Sequence, residues 1–213
     1  MFILMVMLLS CKKEIPVTHV SGIVVNSGTN KPIDSVEVRI QDGMLSDNLS
    51  GGKTYTGSGA IQKYITSSDG KFEFNFKANN PYILASKKQY RFRNPNGAYE
   101  IYELLPGNTY NLSLQLDAYA FFNPVCKGVN CLISDTFILD LGNKIPKGYS
   151  KIATSFKYLG NGPHSSHAGE GLLARGDHFN YYWMKYQIHG MWHEKIDSVF
   201  IKSFTTYTDT IYY

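Results

Sequence analysis

The sequence predicts an all-β protein built as two β-sandwich modules. Apolar and polar residues alternate with period two in Val36-Glu37-Val38-Arg39-Ile40, in Lys71-Phe72-Glu73-Phe74-Asn75-Phe76-Lys77 and in Asn111-Leu112-Ser113-Leu114-Gln115-Leu116. Such alternation marks a strand with one buried face and one wet face. No segment sustains a helical period. Asp69-Gly70 stands between Ile65-Thr66 and the phenylalanine strand, and Asp-Gly is a strong hairpin signal. Short strands with frequent turns favour a sandwich. The length, 213 residues, suits one large or two small domains. The 16 tyrosines fit half-buried sheet surfaces.

The chain opens differently. Phe2 to Leu9 is wholly apolar, too short for a membrane span but the length of a secretory core segment. Leu8-Leu9-Ser10-Cys11 then resembles the lipobox of bacterial lipoproteins. The resemblance implies cleavage before Cys11, so that residues 1–10 are a signal peptide and Cys11 carries the acyl chains. Two or more acyl chains give stable anchoring where one is marginal. Secretory signals usually begin with Lys or Arg, whereas this one begins Met1-Phe2-Ile3, so the natural start is expected a few residues upstream. Residues 11–18 read as a lipidated polar tether containing Pro16.

Next, Val20-Ser21-Gly22-Ile23-Val24-Val25 precedes Lys31-Pro32-Ile33 and Val36-Glu37-Val38, and Thr66-Ser67-Ser68-Asp69-Gly70-Lys71-Phe72-Glu73-Phe74 follows. This order resembles the carboxypeptidase regulatory-like domain, a transthyretin-like or Ig-like β-sandwich, over residues 19–118. The family's motifs are structural: its Gly and Pro make turns and its Asp-Gly makes a hairpin. It implies an accessory or interaction role in secreted proteins, lipoproteins and outer-membrane receptors, with no catalytic residues. The chain departs from the pattern by a Gly- and Ser-rich insertion from Asp42 to Gln62, expected to be a functional or flexible loop.

Residues 119–213 read as a second β-rich domain of no identified family. Its expected strands are Thr136 to Leu141, Lys151 to Tyr158, Tyr181 to Gly190, Asp197 to Phe204 and Thr208 to Tyr213. Tyr119 to Pro124 could instead complete the first sheet.

Several motifs bear on chemistry. Gly52-Lys53-Thr54 lacks the earlier glycine of a phosphate-binding loop, because that position is Asp47, and no helix follows. Arg175-Gly176-Asp177 is a tripeptide read by adhesion receptors, and weak evidence by itself. Cys126 and Cys131 suggest a disulfide behind a secretion signal, closing a short loop for about 2 kcal/mol. Free buried thiols and a zinc site are the other readings. Five of the six histidines (His164, His167, His178, His189 and His193) fall close together in sequence, among Glu170, Asp177 and Glu194. Imidazole with carboxylate suits zinc, copper or iron. The spacing lacks the H-E-x-x-H pattern, and surface histidines are the commoner reading. On one strand His189 and His193 would share a face, unless Gly190 breaks it. Tyr181, Trp183 and Trp192 are candidate ligand-binding aromatics, although core packing is the commoner fate of tryptophan. Alternation buries either Tyr182 or the pair Tyr181 and Trp183.

The net charge of +4 is scattered, without the basic stripe that nucleic acid requires. No G-x-S-x-G nucleophile elbow is present. The expectation is a non-enzymatic, cofactor-free lipoprotein, anchored extracytoplasmically at the cell envelope, with the outer membrane the expected site. Its partners would be the membrane, through the lipid anchor, and an envelope protein or a glycan. The alternative is a metal-binding protein or metalloenzyme using the histidine cluster.

Overall fold

The computed structural model describes residues 14–47, 53–93, 102–129, 136–142, 160–161, 166–167 and 172–212. The expected strand Lys151 to Tyr158, and Cys11, Cys131 and His164, lie outside them. In chain order the strands are β1 (Thr18–Asn26), β2 (Glu37–Asp47), β3 (Lys53–Ile65), β4 (Lys71–Phe76), β5 (Pro81–Ser86), β6 (Tyr90–Arg93), β7 (Tyr102–Glu103) and β8 (Thr109–Lys127). Then come β9 (Thr136–Gly142), β10 (Gly160–Asn161), β11 (Ser166–His167), β12 (Leu172–Arg175), β13 (His178–Ile188), β14 (Met191–Ile201) and β15 (Thr206–Tyr212). The fold is all-β and sandwich-like. Among the described residues no helix is long and apolar enough to cross a membrane.

In the first half, β1 lies between β4, antiparallel, and the front of β8, parallel. β6 pairs with β8 on its other side. The facing sheet has the order β3-β2-β5-β7. Between them sits one apolar cluster: Val20 and Val24 from β1, Phe72, Phe74 and Phe76 from β4, Leu114 and Leu116 from β8, against Val38, Ile40 and Ile83 from the other sheet. The phenylalanine strand behaves as its alternation requires, with Lys71, Glu73 and Asn75 outside.

In the second half, the back of β8 pairs with β15, parallel, on one side and with β12 and β11, antiparallel, on the other. Opposite lies the sheet β10-β9-β13-β14. Its core packs Ala120, Phe122 and Cys126 of β8 against Phe137, Leu139, Tyr182, Met184, Val199 and Ile201. Phe122 stacks on Tyr182, with ring centroids 5.7 Å apart.

One strand therefore serves both cores. Leu114, Leu116, Ala118, Ala120, Phe122 and Cys126, all on one face of β8, are buried in succession. Residues 119–124 continue β8 in the same seven-stranded sheet as β1 and β4, and there they are flanked by β12 and β15. The expected boundary after residue 118 falls in the middle of this continuous strand. Pro124, which has no N–H to give a ladder, falls between the stretches paired with β12 and with β11.

Three local expectations are corrected. Asp69-Gly70 is not a hairpin turn. It carries the chain from one sheet to the other, since β3 pairs with β2 and β4 with β1. The turn chemistry is as expected: Gly70 has φ +69° and its N–H bonds Ser67 O at 2.9 Å, but the partner of each strand is chosen by the cores. The described part of the insertion from Asp42 to Gln62 is no loose loop either. It extends the β2–β3 hairpin, with Gly43 opposite Gly57 and Asp47 opposite Lys53, and with bulges near Gln41. Gly22 lies mid-strand rather than in a turn. A Cβ there would come within 2.1 Å of Leu112 O, so only glycine allows β1 this close to β8.

Candidate functional site

Two places gather chemically distinctive side chains: a polar junction between the halves, and the outer face of the sheet β10-β9-β13-β14.

The junction is built where β1 ends, where β8 passes between the cores and where the chain turns from β12 into β13. Arg175 Nη2 donates to Asp117 Oδ1 at 2.8 Å, in a pair whose side chains are mostly buried. Ser27 Oγ donates to the same carboxylate oxygen. His178 Nε2 lies 2.9 Å from Ser27 Oγ and 3.0 Å from Arg175 Nη2. Since guanidinium only donates, the ring nitrogen facing it accepts. A serine, a histidine and an aspartate are thus together, but not as a nucleophilic triad. There the carboxylate orients the imidazole and the imidazole takes the serine proton. Here Asp117 accepts the serine's hydrogen bond and neutralises an arginine. The arrangement is a polar clamp.

The Arg175-Gly176-Asp177 tripeptide belongs to this clamp. Gly176 N donates to Ala118 O at 2.7 Å, and Asp177 Oδ1 accepts Ser203 N at 3.1 Å. Asn26 Nδ2 reaches Asp177 Oδ2 at 3.4 Å. Arg175 and Asp177 therefore spend their charges on the fold rather than presenting them to a receptor.

The described histidines do not converge. His178 begins β13 and His189 follows its end, roughly 36 Å apart at about 3.3 Å per residue. No single ion spans that. His189 and His193 do not share a strand. His189, with φ +50°, and Gly190, with φ +80°, make the two-residue turn from β13 to β14, and His193 stacks on Tyr186 in the return strand. Among the described residues no three His, Cys, Asp or Glu side chains are placed to hold a metal. His167 pairs with Val125 through β11. Cys126 carries a free, buried thiol rather than one half of the expected bridge, and burial pushes its pKa up to about 12. A thiol so held is a poor nucleophile and a poor metal ligand.

The aromatic candidates fare differently. Tyr182 is buried at 5% exposure, which turns Tyr181 and Trp183 to the other face, both half-buried. Burial, then nearby Asp197 and Asp209, push the Tyr182 phenol pKa up. The β13–β14 register sets Phe179 beside Phe200, Trp183 beside Ile196 and Gln187 beside Trp192, all on that outer face. Phe179 is 61% exposed, Trp192 47%, Phe200 46% and Ile196 45%. The Phe179 and Phe200 rings meet edge to face, 5.4 Å apart. Lys185 Nζ lies 5.0 Å from the Trp192 ring centre and 3.5 Å from Glu194. The fold thus gathers Tyr181, Trp183 and Trp192 in one stripe and adds Phe179, Ile196 and Phe200. Reading His189-Gly190 as a two-residue turn would have found the additions, because it pairs every residue of β13 with its neighbour in β14.

No family model matches this sequence, and no curated protein matches it. Among solved structures, the chain is similar to the minor pilin GBS52 of Streptococcus agalactiae at 13% identity and TM-score 0.35, covering 92% of this chain and 94% of that one. It is similar to the shaft pilin SpaA of Lactobacillus rhamnosus GG at 8% identity and TM-score 0.30, covering 93% and 98%. It is also similar to the Bacillus anthracis TIE protein at 13% identity and TM-score 0.33; there it covers 92% of its own length and spans about a third (34%) of the other chain. Likeness at this level carries no function across.

Proposed function

We propose that the protein is a non-catalytic binding module of the cell envelope, tethered by acyl chains on Cys11, that docks a protein partner on the outer face of β13 and β14. The observation that carries this reading is the stripe of Phe179, Tyr181, Trp183, Trp192, Ile196 and Phe200 on one sheet face. Aromatic side chains are enriched where protein interfaces are most buried, and contiguous exposed apolar patches mark interaction sites. A protein is favoured over a glycan because the Phe179 and Phe200 rings stand 64° apart and offer no flat platform for sugar stacking. The first half, read as a transthyretin-like sandwich, would act as the scaffold.

The test places a photo-crosslinking residue at Phe200 in the full chain in envelope preparations, and another at Lys63 on β3 as a control. A discrete protein adduct from position 200, absent from 63 and lost in Trp183→Ala, is expected. Retention on polysaccharide without a protein adduct would overturn the docking reading. The anchor is tested separately. Labelled palmitate should enter the protein through Cys11, and a Cys11→Ala variant that keeps its label would refute the tether.

A further inference from the structure

We infer that the free edge of β14 pairs antiparallel with β14 of a second copy of this chain, in a register centred on Ile196. Among the described residues β14 is the last strand of its sheet and pairs only with β13. It is 11 residues long, and most of it is exposed. Long open edges invite pairing unless something opposes it.

The backbone is prepared for this. The two-residue turn at His189-Gly190, with positive φ at both positions, makes Ile188 and Met191 the hydrogen-bonded pair that closes the hairpin. Every second residue from Met191 then bonds β13. The N–H and C=O groups of Trp192, Glu194, Ile196, Ser198 and Phe200 point away from it, toward the outer edge, where the Ser198 N–H donates to Asp197 Oδ1 at 2.8 Å.

The side chains choose the register. Lys195 and Asp197 flank Ile196 symmetrically and share a face, with Nζ to Oδ2 at 3.1 Å. Centring on Ile196 sets Lys195 of one copy opposite Asp197 of the other, twice. The same register sets Trp192 opposite Phe200 and Ile196 opposite itself. Moving the centre to Lys195 puts lysine against lysine, and moving it to Asp197 puts aspartate against aspartate. A slip of one residue reverses the faces. Cross-strand pairs of opposite charge or of aromatics favour a sheet, and like charges directly opposite disfavour it. The charges that would protect this edge from other strands are therefore complementary to a second copy in one register alone of those three. This pairing uses the edge of β14, whereas the docking proposed above uses its face, so either can fail without the other.

The experiment substitutes Ile196→Cys in the full chain and follows oxidative cross-linking on non-reducing gels, with the parent chain as blank. Opposed residues of a hydrogen-bonded antiparallel pair have Cα atoms about 5.5 Å apart, within disulfide reach. A disulfide dimer is expected from Ile196→Cys and not from Ser198→Cys, which would face Glu194. Adding Lys195→Asp should abolish it, and adding Asp197→Lys as well should restore it. The restored dimer excludes misfolding as the cause of the loss. No dimer from Ile196→Cys, equal dimer from Ser198→Cys, or a dimer indifferent to the charge reversal would overturn the pairing.

Discussion

Strands β4 and β13, one from each half, obey the same alternation but dress their outer faces differently. Strand β4 in the first half buries Phe72, Phe74 and Phe76 and exposes Lys71, Glu73 and Asn75. Strand β13 in the second buries Tyr182 and Met184 and turns Phe179, Tyr181 and Trp183 outward. A strand needs only one apolar face to hold a sandwich together. The second apolar face does no work in the core; under the function proposed above it is the part that meets a partner, with the first half as scaffold.

The severest challenge to this comparison is to damage one core and watch the other. Phe122 is fully buried and packs between Tyr182 and Tyr207. Phe122→Ala should cost about 3–5 kcal/mol in urea titrations. Because β8 runs through both cores, we expect one shared transition. Two separate transitions, with the first unmoved, would show that the halves are independent in stability as well as in surface.

Next comes the clamp that joins them. Asp117→Ala removes the carboxylate that both Arg175 and Ser27 bond, leaving a guanidinium mostly buried without its counter-charge. A loss of about 3 kcal/mol is expected in the same titration, on the scale of broken buried pairs. An unchanged midpoint would mean that the clamp contributes nothing net.

On the outer face the prediction reverses. Phe179→Ala should change stability by no more than about 0.5 kcal/mol, as surface substitutions do. A loss comparable to Phe122→Ala would place Phe179 in the structural core and remove the contrast between the faces.

The smallest effect concerns two crossing turns. Asp69, in the first half, is exposed; its carboxylate accepts Lys71 N and Ser67 Oγ, and these bonds with the Lys71 ammonium hold its pKa at about 2, against an ordinary 3.8. A depressed carboxylate pKa contributes stability that is present above 3.8 and lost as pH falls through about 2. NMR titration should find the Asp69 midpoint near 2, and a midpoint near 3.8 would show the turn to be open. The corresponding turn at Asp177 is tied to Ser203 and Asn26, so salt should matter less there than at the exposed Asp69–Lys71 pair.

Much of the strand content was legible because alternation is local. The phenylalanine strand, the leucine strand and the start of β2 each declare their buried face within six or seven residues. Pairing was less legible. Asp69-Gly70 carries a hairpin's residues, yet it links two sheets because Val24 N bonds Gly70 O, extending the β1–β4 contact instead. The described histidines lie apart for a geometric reason. Closeness in sequence along a strand becomes distance in space, so His178 and His189 stand at opposite ends of β13. The clamp was invisible in the sequence, since Ser27, Asp117 and His178 come from positions 90 and 151 residues apart.

By itself, the sequence determined the class of the fold, the buried face of its clearest strands and the absence of any familiar nucleophile motif, because these depend on neighbours within a few residues. Only the tertiary structure decided that one strand serves two cores, that Arg175-Gly176-Asp177 is spent on holding them together and that Trp183, Trp192 and Phe200 share an outer face. Those depend on which strands lie side by side, and that choice is made by the burial of whole faces rather than by any local run of residues.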